Sequence, residues 1–226
     1  MKTPVIALNL KTYKEAAGYK AEKLAVMAKE LANRSDKHVI VCPQNPELAY
    51  LARKYASEKN FSVYGQHVDA EKQGAFTGSI VPETLRDAGA KGSLLNHAEK
   101  KVGLETVEKT IARAKEAGIE LIVCADSVQE AIAIAKFRPP CIAVEPPELI
   151  GKGVSISTAK PDAILKCVKE IKTIDPAIVV LVGAGVSTAE DVRKSRELGA
   201  EGVLLASAFA KNKSPRTLLE QMLQQL

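Results

Sequence analysis

Ile142-Ala143-Val144-Glu145-Pro146-Pro147-Glu148-Leu149-Ile150-Gly151-Lys152-Gly153 carries the order of signals on which the fold turns. A short apolar run ends at a carboxylate, two prolines follow, and a glycine-bracketed loop comes next. The run reads as a strand and the prolines as a stiff hinge, because their rings restrict the backbone beside the acid. Leu149 and Ile150 are apolar residues in a loop that should be wet, which a lid closing over a small ligand explains better than a random exposed loop does. If the strand belongs to a parallel barrel, Glu145 stands at the C-terminal face where such barrels do their chemistry. The bland reading of an isolated strand-end carboxylate is a surface ion pair.

Working outward, eight short β-branched or apolar runs cover residues 5–10, 38–42, 61–66, 92–96, 119–124, 140–145, 178–183 and 201–206, and a helical pattern follows each. In the fourth helix Leu104, Val107, Ile111 and Ala114 keep one face apolar, while Glu105 and Lys109 form an i,i+4 pair outside it. Ile164, Val168 and Ile171 repeat the pattern in the sixth. Asp126 with Gln129, and Ser187 with Glu190, have capping-box spacing and predict helix starts after strands five and seven. Strands too uniformly apolar for one wet face argue for a parallel sheet covered by helices. The expectation is an α/β chain folded as a closed parallel (βα)8 barrel, one domain over residues 1–226 with no proline-rich or serine-rich linker. The rival, an open doubly wound sheet, lacks the G-x-G-x-x-G fingerprint after strand one that dinucleotide binding would need.

The 226 residues, 46% hydrophobic and 26% charged, suffice for a sizeable core. The net charge of +5 is spread along the chain without a basic block or aromatic interleaving, which argues against nucleic acid. Cys42, Cys124, Cys141 and Cys167 lie far apart, never at metal-type spacing, and read as reduced, mostly buried thiols. The start runs directly into a strand without a signal-peptide core, and no apolar run is long enough to cross a bilayer. A cytoplasmic protein without membrane partners is expected.

Several strand ends carry candidate chemistry. Period 2 places Asn9 and Lys11 on the same side at the end of strand one, an amide beside an ammonium. The three histidines, His38, His67 and His97, form no H-x-x-x-H pair, so neither a metal nor a cofactor is expected. His97 lies where a strand becomes its loop and could polarise a carbonyl or shuttle a proton, although a structural role is commoner for a lone histidine. Glu99, next to Lys100 and Lys101, reads as a salt-bridging support. Gly183-Ala184-Gly185 and Leu205-Ala206-Ser207-Ala208 are small-residue turns after consecutive late strands, suited to cradle a phosphate on backbone N–H groups.

At these residues the chain resembles the triosephosphate isomerase family, in its short archaeal type. The resemblance runs from Asn9-Leu10-Lys11 through Gly74-Ala75-Phe76-Thr77-Gly78, Asn96-His97-Ala98-Glu99 and Val144-Glu145-Pro146-Pro147-Glu148-Leu149-Ile150-Gly151 to Gly202-Val203-Leu204-Leu205-Ala206-Ser207. It implies an isomerase of glycolysis and gluconeogenesis that interconverts dihydroxyacetone phosphate and D-glyceraldehyde 3-phosphate. By resemblance Glu145 is the base, His97 the electrophile, Lys11 the cation stabilising the enediolate, and Asn9 its neighbour. The phosphate is then held at Gly151, Gly185, Ala206 and Ser207, with Ile150 in the closing lid. The family is itself a general example of a glutamate base beside a neutral histidine, with lid closure excluding water. It also implies assembly through the loop holding Thr77, giving at least a homodimer and, by similarity to archaeal members, a homotetramer. Two other readings stand beside this one: another phosphate-binding barrel enzyme, of amino-acid or thiamine biosynthesis, and a non-catalytic sugar-phosphate-binding barrel acting as sensor or scaffold.

Two departures from the family pattern are Gly151-Lys152-Gly153 where Gly-Thr-Gly is usual, and His97-Ala98-Glu99 where His-Ser-Glu is usual. Ala98 removes a hydroxyl partner of the catalytic carboxylate, and Lys152 places a longer cation at the lid's end, so an altered lid equilibrium is expected. Lys152→Thr and Ala98→Ser should each shift the steady-state constants; unchanged kcat and KM in both variants would count against that expectation.

Overall fold

The computed structural model describes residues 1–145, 159 and 161–226. Eight strands, β1 (Val5–Asn9), β2 (His38–Cys42), β3 (Phe61–Gly65), β4 (Gly92–Leu95), β5 (Glu120–Ala125), β6 (Cys141–Val144), β7 (Val179–Val182) and β8 (Gly202–Leu205), pair in chain order into a closed barrel. All pairs are parallel, and the ring closes with Val5 of β1 beside Gly202 of β8. Among the described residues the helices are α1 (Tyr19–Ser35), α2 (Asn45–Lys54), α3 (Pro82–Asp87), α4 (Leu104–Ala117), α5 (Val128–Ala135), α6 (Pro161–Ile174), α7 (Ala189–Glu197), the short α8 (Ser207–Ala210) and α9 (Pro215–Gln224). The expected alternation of eight strands with helices is what the chain adopts.

Strand alternation divides the core in two. Val5, Ala7, Ile40, Leu94, Ile122, Ala143, Leu181 and Leu204 fill the barrel, whereas Ile6, Leu8, Val39, Val41, Leu95, Val123 and Val180 pack outward against the helices. Each Val, Leu or Ile buried in this way stabilises the fold by about 1.5–3 kcal/mol. Most inward side chains are small or medium-sized, and Tyr64 fills the space they leave, its hydroxyl donating to Glu120. Gly92, across from Tyr64, has no room for a side chain: a Cβ would meet both the Tyr64 ring and the Glu120 carbonyl. All four cysteines are buried and unpaired, as expected.

The outer helices show where periodicity reads correctly and where it slips. Val107, Ile111 and Ala114 of α4 are buried and the Glu105–Lys109 pair spans 2.6 Å, but Leu104 is 42% exposed. Leu104 is the first residue of α4, beyond the end of the surface its later turns cover. Ile164, Val168 and Ile171 of α6 are buried as expected. The capping positions lie one residue later than the spacing predicts. Ser127 caps α5 through the N–H of Glu130, and Thr188 caps α7 in a reciprocal box with Asp191. Asp126 and Ser187 instead donate their own backbone N–H groups to Glu130 and Asp191. Among the described residues, no helix is long and apolar enough to cross a membrane.

Candidate active site

Because the strands run parallel, their C-terminal ends gather at one mouth of the barrel, and five of them build a cavity of about 230 Å³. Asn9 closes β1, His97 follows β4, Glu145 follows β6, Gly183 and Gly185 follow β7, and Ala206 and Ser207 follow β8, all lining this space together with Lys11. Of the residues expected in the site, Ile150 and Gly151 lie outside the described residues, as do Lys152 and the rest of the expected lid at 146–153.

Lys11 arrives by a route that strand alternation does not supply. β1 ends at Asn9, and Lys11 has a φ of 47°, in the left-handed region. A non-glycine residue there costs on the order of 1–3 kcal/mol and needs its surroundings to hold it. The Asn9 side-chain oxygen accepts from the Lys11 N–H at 3.0 Å, and the Gln66 amide donates to the carbonyls of Lys11 and Cys42, both at 3.0 Å. Asn9 and Lys11 therefore line the same cavity, and it is a side-chain-braced turn, not strand alternation, that brings them together. The Lys11 ammonium meets Glu99 at 2.7 Å, which makes Glu99 a supporting partner of Lys11 instead of the adjacent lysines.

His97 precedes a single 3-10 turn, Ala98–Lys100, and its Nδ1 accepts from the N–H of Glu99 at 3.1 Å. The Glu99 carboxylate is 3.8 Å from the same nitrogen, beyond hydrogen-bond reach, so the backbone amide is the partner. A nitrogen that accepts carries no proton, and the ring hydrogen therefore sits on Nε2, which faces Glu145. Nε2 and the Glu145 Oε2 are 3.9 Å apart.

Glu145 is fixed by its strand. Its N–H donates to the Ala125 carbonyl at 2.7 Å, and the Gly183 N–H donates to the Val144 carbonyl at 3.0 Å. The residue is only 5% exposed, and its side chain lies against Gly183, where a Cβ would fall 2.7 Å from its Cδ and 2.8 Å from its Oε1. Among the described residues, Oε2 has no hydrogen-bond partner. Burial, and then the charge of Glu145, push the Cys124 thiol well above its ordinary range, so it remains an S–H beside the carboxylate. Among the described residues, no three His, Cys, Asp or Glu side chains converge as a metal site would need.

A buried carboxylate with a free oxygen, a neutral N–H donor facing it and a nearby ammonium suit proton abstraction next to a carbonyl whose oxygen becomes an anion. The small residues of the opposite wall, with the first turn of α8, present backbone N–H groups suited to an anion. As residues of the site, Tyr13, Gln66 and Cys124 escaped the sequence reading, which took Cys124 only as a buried thiol. The last two were findable as residues at or beside the ends of strands three and five; Tyr13 lies in a loop and gave no such signal.

A family model described as triosephosphate isomerase matches residues 4–224. Among curated relatives, the triosephosphate isomerase of Methanothermus fervidus is 41% identical over 226 residues, covering 100% of both chains. That of Methanothermobacter thermautotrophicus is 42% identical over 217 residues, covering 96% of this chain and 93% of its own. That of Sulfurisphaera tokodaii is 39% identical over 223 residues, covering 99% and 95%.

The close approach at Gly183 generates a prediction. Gly183→Ala should push the Glu145 carboxylate aside and lower kcat by roughly 10- to 100-fold with little change in circular dichroism, since misplacement of a reacting group by about 1 Å has effects of this size. A folded Gly183→Ala protein with undiminished kcat would show that the glycine does not confine the carboxylate.

Proposed function

The chain belongs to the triosephosphate isomerase family and interconverts dihydroxyacetone phosphate and D-glyceraldehyde 3-phosphate; on that premise we propose that Glu145, His97 and Lys11 carry the reaction. Glu145 takes a proton from the carbon beside the carbonyl and returns it to the neighbouring carbon. His97 donates from Nε2 to the oxygen on which charge develops, and Lys11 stabilises the enediolate. Asn9 holds Lys11 in place and lines the substrate's side of the cavity. The phosphate lies against the backbone at Gly185, Ala206 and Ser207, and Ile150 and Gly151 complete its enclosure by resemblance.

The observation that carries this reading is the 3.9 Å approach of His97 Nε2 to Glu145 Oε2 across a shared cavity. A carbon acid next to a carbonyl is too weak for a solvated carboxylate, and donors already aimed at the developing oxyanion lower that barrier. The cavity, about 230 Å³, is smaller than pockets of roughly 300–1,000 Å³ that hold drug-sized ligands, in keeping with a three-carbon substrate. Membership of this family disfavours both the other phosphate-binding barrel enzymes and a non-catalytic sensor. The buried, unpaired state of the four cysteines supports a reducing, cytoplasmic setting.

We further infer assembly of at least two copies, up to the tetramer implied by resemblance. A second cavity of about 320 Å³ adjoins the first, sharing Asn9, Lys11 and His97 and continuing to Gln44, Gln66 and Glu99. On the same chain, Asp69 and Ile80 bind each other through backbone and side chain, at 2.8 and 2.7 Å, and pinch off a loop between them. Residues 72–79 of that loop are exposed, including Phe76 at 50%, and Thr77 stands beside it. Insertion of this loop into the second cavity of a neighbouring copy would cover Phe76 and close the side of the catalytic site.

Glu145→Ala should leave the fold intact and reduce turnover on the order of 10²- to 10⁴-fold, the usual worth of a general base, in a coupled assay with glyceraldehyde 3-phosphate. Retention of most activity would remove Glu145 from the mechanism. Light scattering at micromolar concentration should give a dimer or larger, and Thr77→Arg should shift it towards monomer with loss of activity; a monomeric parent protein would overturn the assembly.

A further inference from the structure

We propose that Asn96 is a positioning residue: it locks the loop carrying His97 to the end of β5 and thereby sets the distance between His97 and Glu145. This rests on the assignment of that pair as the reacting groups. β5 lies between β4, which leads into His97, and β6, which leads into Glu145. The last register pair of β4 with β5 is Leu95 with Val123, after which Asn96 turns into the left-handed region with a φ of 60°. That turn ends the backbone ladder, and the Asn96 side chain replaces the lost rung by donating to the Cys124 carbonyl at 2.9 Å. On the other side of β5, the next carbonyl, Ala125, takes the Glu145 N–H at 2.7 Å. Consecutive carbonyls of one strand thus hold the loop of the electrophile and the backbone of the base.

The rest of the Asn96 amide is also engaged. Its second N–H donates to Glu130 at 3.0 Å, and its oxygen accepts from the Val102 N–H at 3.0 Å, closing the loop 97–101 at its neck. Glu130 in turn accepts from the Asp126 N–H at 2.8 Å and from Lys101 at 2.7 Å, tying the far end of the same loop to the start of α5. Asn96 is 1% exposed, and three hydrogen bonds from one buried amide restrict both the position and the rotation of the loop. Asn96 makes none of these contacts with the cavity, where it is not a lining residue. The separation it governs, 3.9 Å between Nε2 and Oε2, leaves little tolerance for drift.

The test uses Asn96→Gly in the full chain, because glycine accepts a φ of 60° without strain and removes only the side-chain bonds. The variant should keep its circular dichroism and KM while kcat falls roughly 10- to 100-fold, the scale expected from misplacing a reacting group by about 1 Å. Nitrogen-15 spectra of His97 should show one tautomer, Nε2–H, in the parent protein and a mixture in the variant. Asn96→Asp, which keeps the acceptor for Val102 but faces Glu130 with like charge, should be impaired similarly, and adding Glu130→Gln should restore part of the loss. This pair also serves if Asn96→Gly does not fold. A folded Asn96→Gly protein with parental kcat and an unchanged His97 spectrum would overturn the proposal, as would Asn96→Asp alone at parental kcat. His97→Gln separates the two readings: if it turns over normally, the assignment of the electrophile fails, whereas if it is crippled and Asn96→Gly is not, only the positioning role fails.

Discussion

Parallel closure of the sheet is the constraint on which the rest depends. With β8 paired to β1 beside Gly202 and Val5, no edge remains, and every strand must end at the same mouth. Residues as distant in sequence as Asn9 and Ser207 then share one cavity without any loop having to reach across the molecule. A barrel also fixes what lies between two strands: β5 separates the end of β4 from that of β6, so the spacing of His97 and Glu145 is largely the width of two strand gaps adjusted by short turns. The backbone ladders of β4 with β5 and of β5 with β6 set those gaps.

On that frame the site holds groups that a stability-seeking sequence would avoid. Lys11 occupies a left-handed backbone, and Glu145 presents an oxygen with no partner among the described residues, inside a wall where Gly183 has no side chain. An unsatisfied buried polar atom costs about 1–3 kcal/mol, and more when charged. The surroundings offset this through dense hydrogen bonding one layer out: Gln66 on the Lys11 turn, the Glu99 amide on His97, and Asn96 with Glu130 behind it. Among the described residues the Glu145 Oε2 is left without a partner, while Lys11 is paired with Glu99 and the groups that hold the site are hydrogen-bonded. This is the arrangement expected of a preorganised site, where donors must be in place before charge develops.

The fold was legible because it is written in short-range patterns. Eight apolar runs, each followed by an amphipathic stretch, need nothing beyond local periodicity to be read, and both the strands and the following helices are present. Errors appear where a pattern meets an end. Leu104 continues the spacing of α4 but lies past the surface it would cover, and the capping positions of α5 and α7 slip by one because neighbouring residues of the same chemistry compete for the cap. Lys11 was placed beside Asn9 by alternation, yet the strand stops at Asn9 and a braced turn does the placing.

The sequence alone determined the alternation of strands and helices, and with it the face of the barrel on which Asn9, Lys11, His97 and Glu145 stand, because residue order and side-chain period are local properties. It also carried the family resemblance, since the residues at those strand ends are themselves the signature. Tertiary structure decided what those residues touch. The tautomer of His97 follows from the amide of Glu99, the confinement of Glu145 from the bare backbone of Gly183, and the bracing of both from carbonyls of β5. Distances of this kind depend on how strands far apart in the chain come to lie side by side, and closure of the barrel sets that geometry for all of them at once.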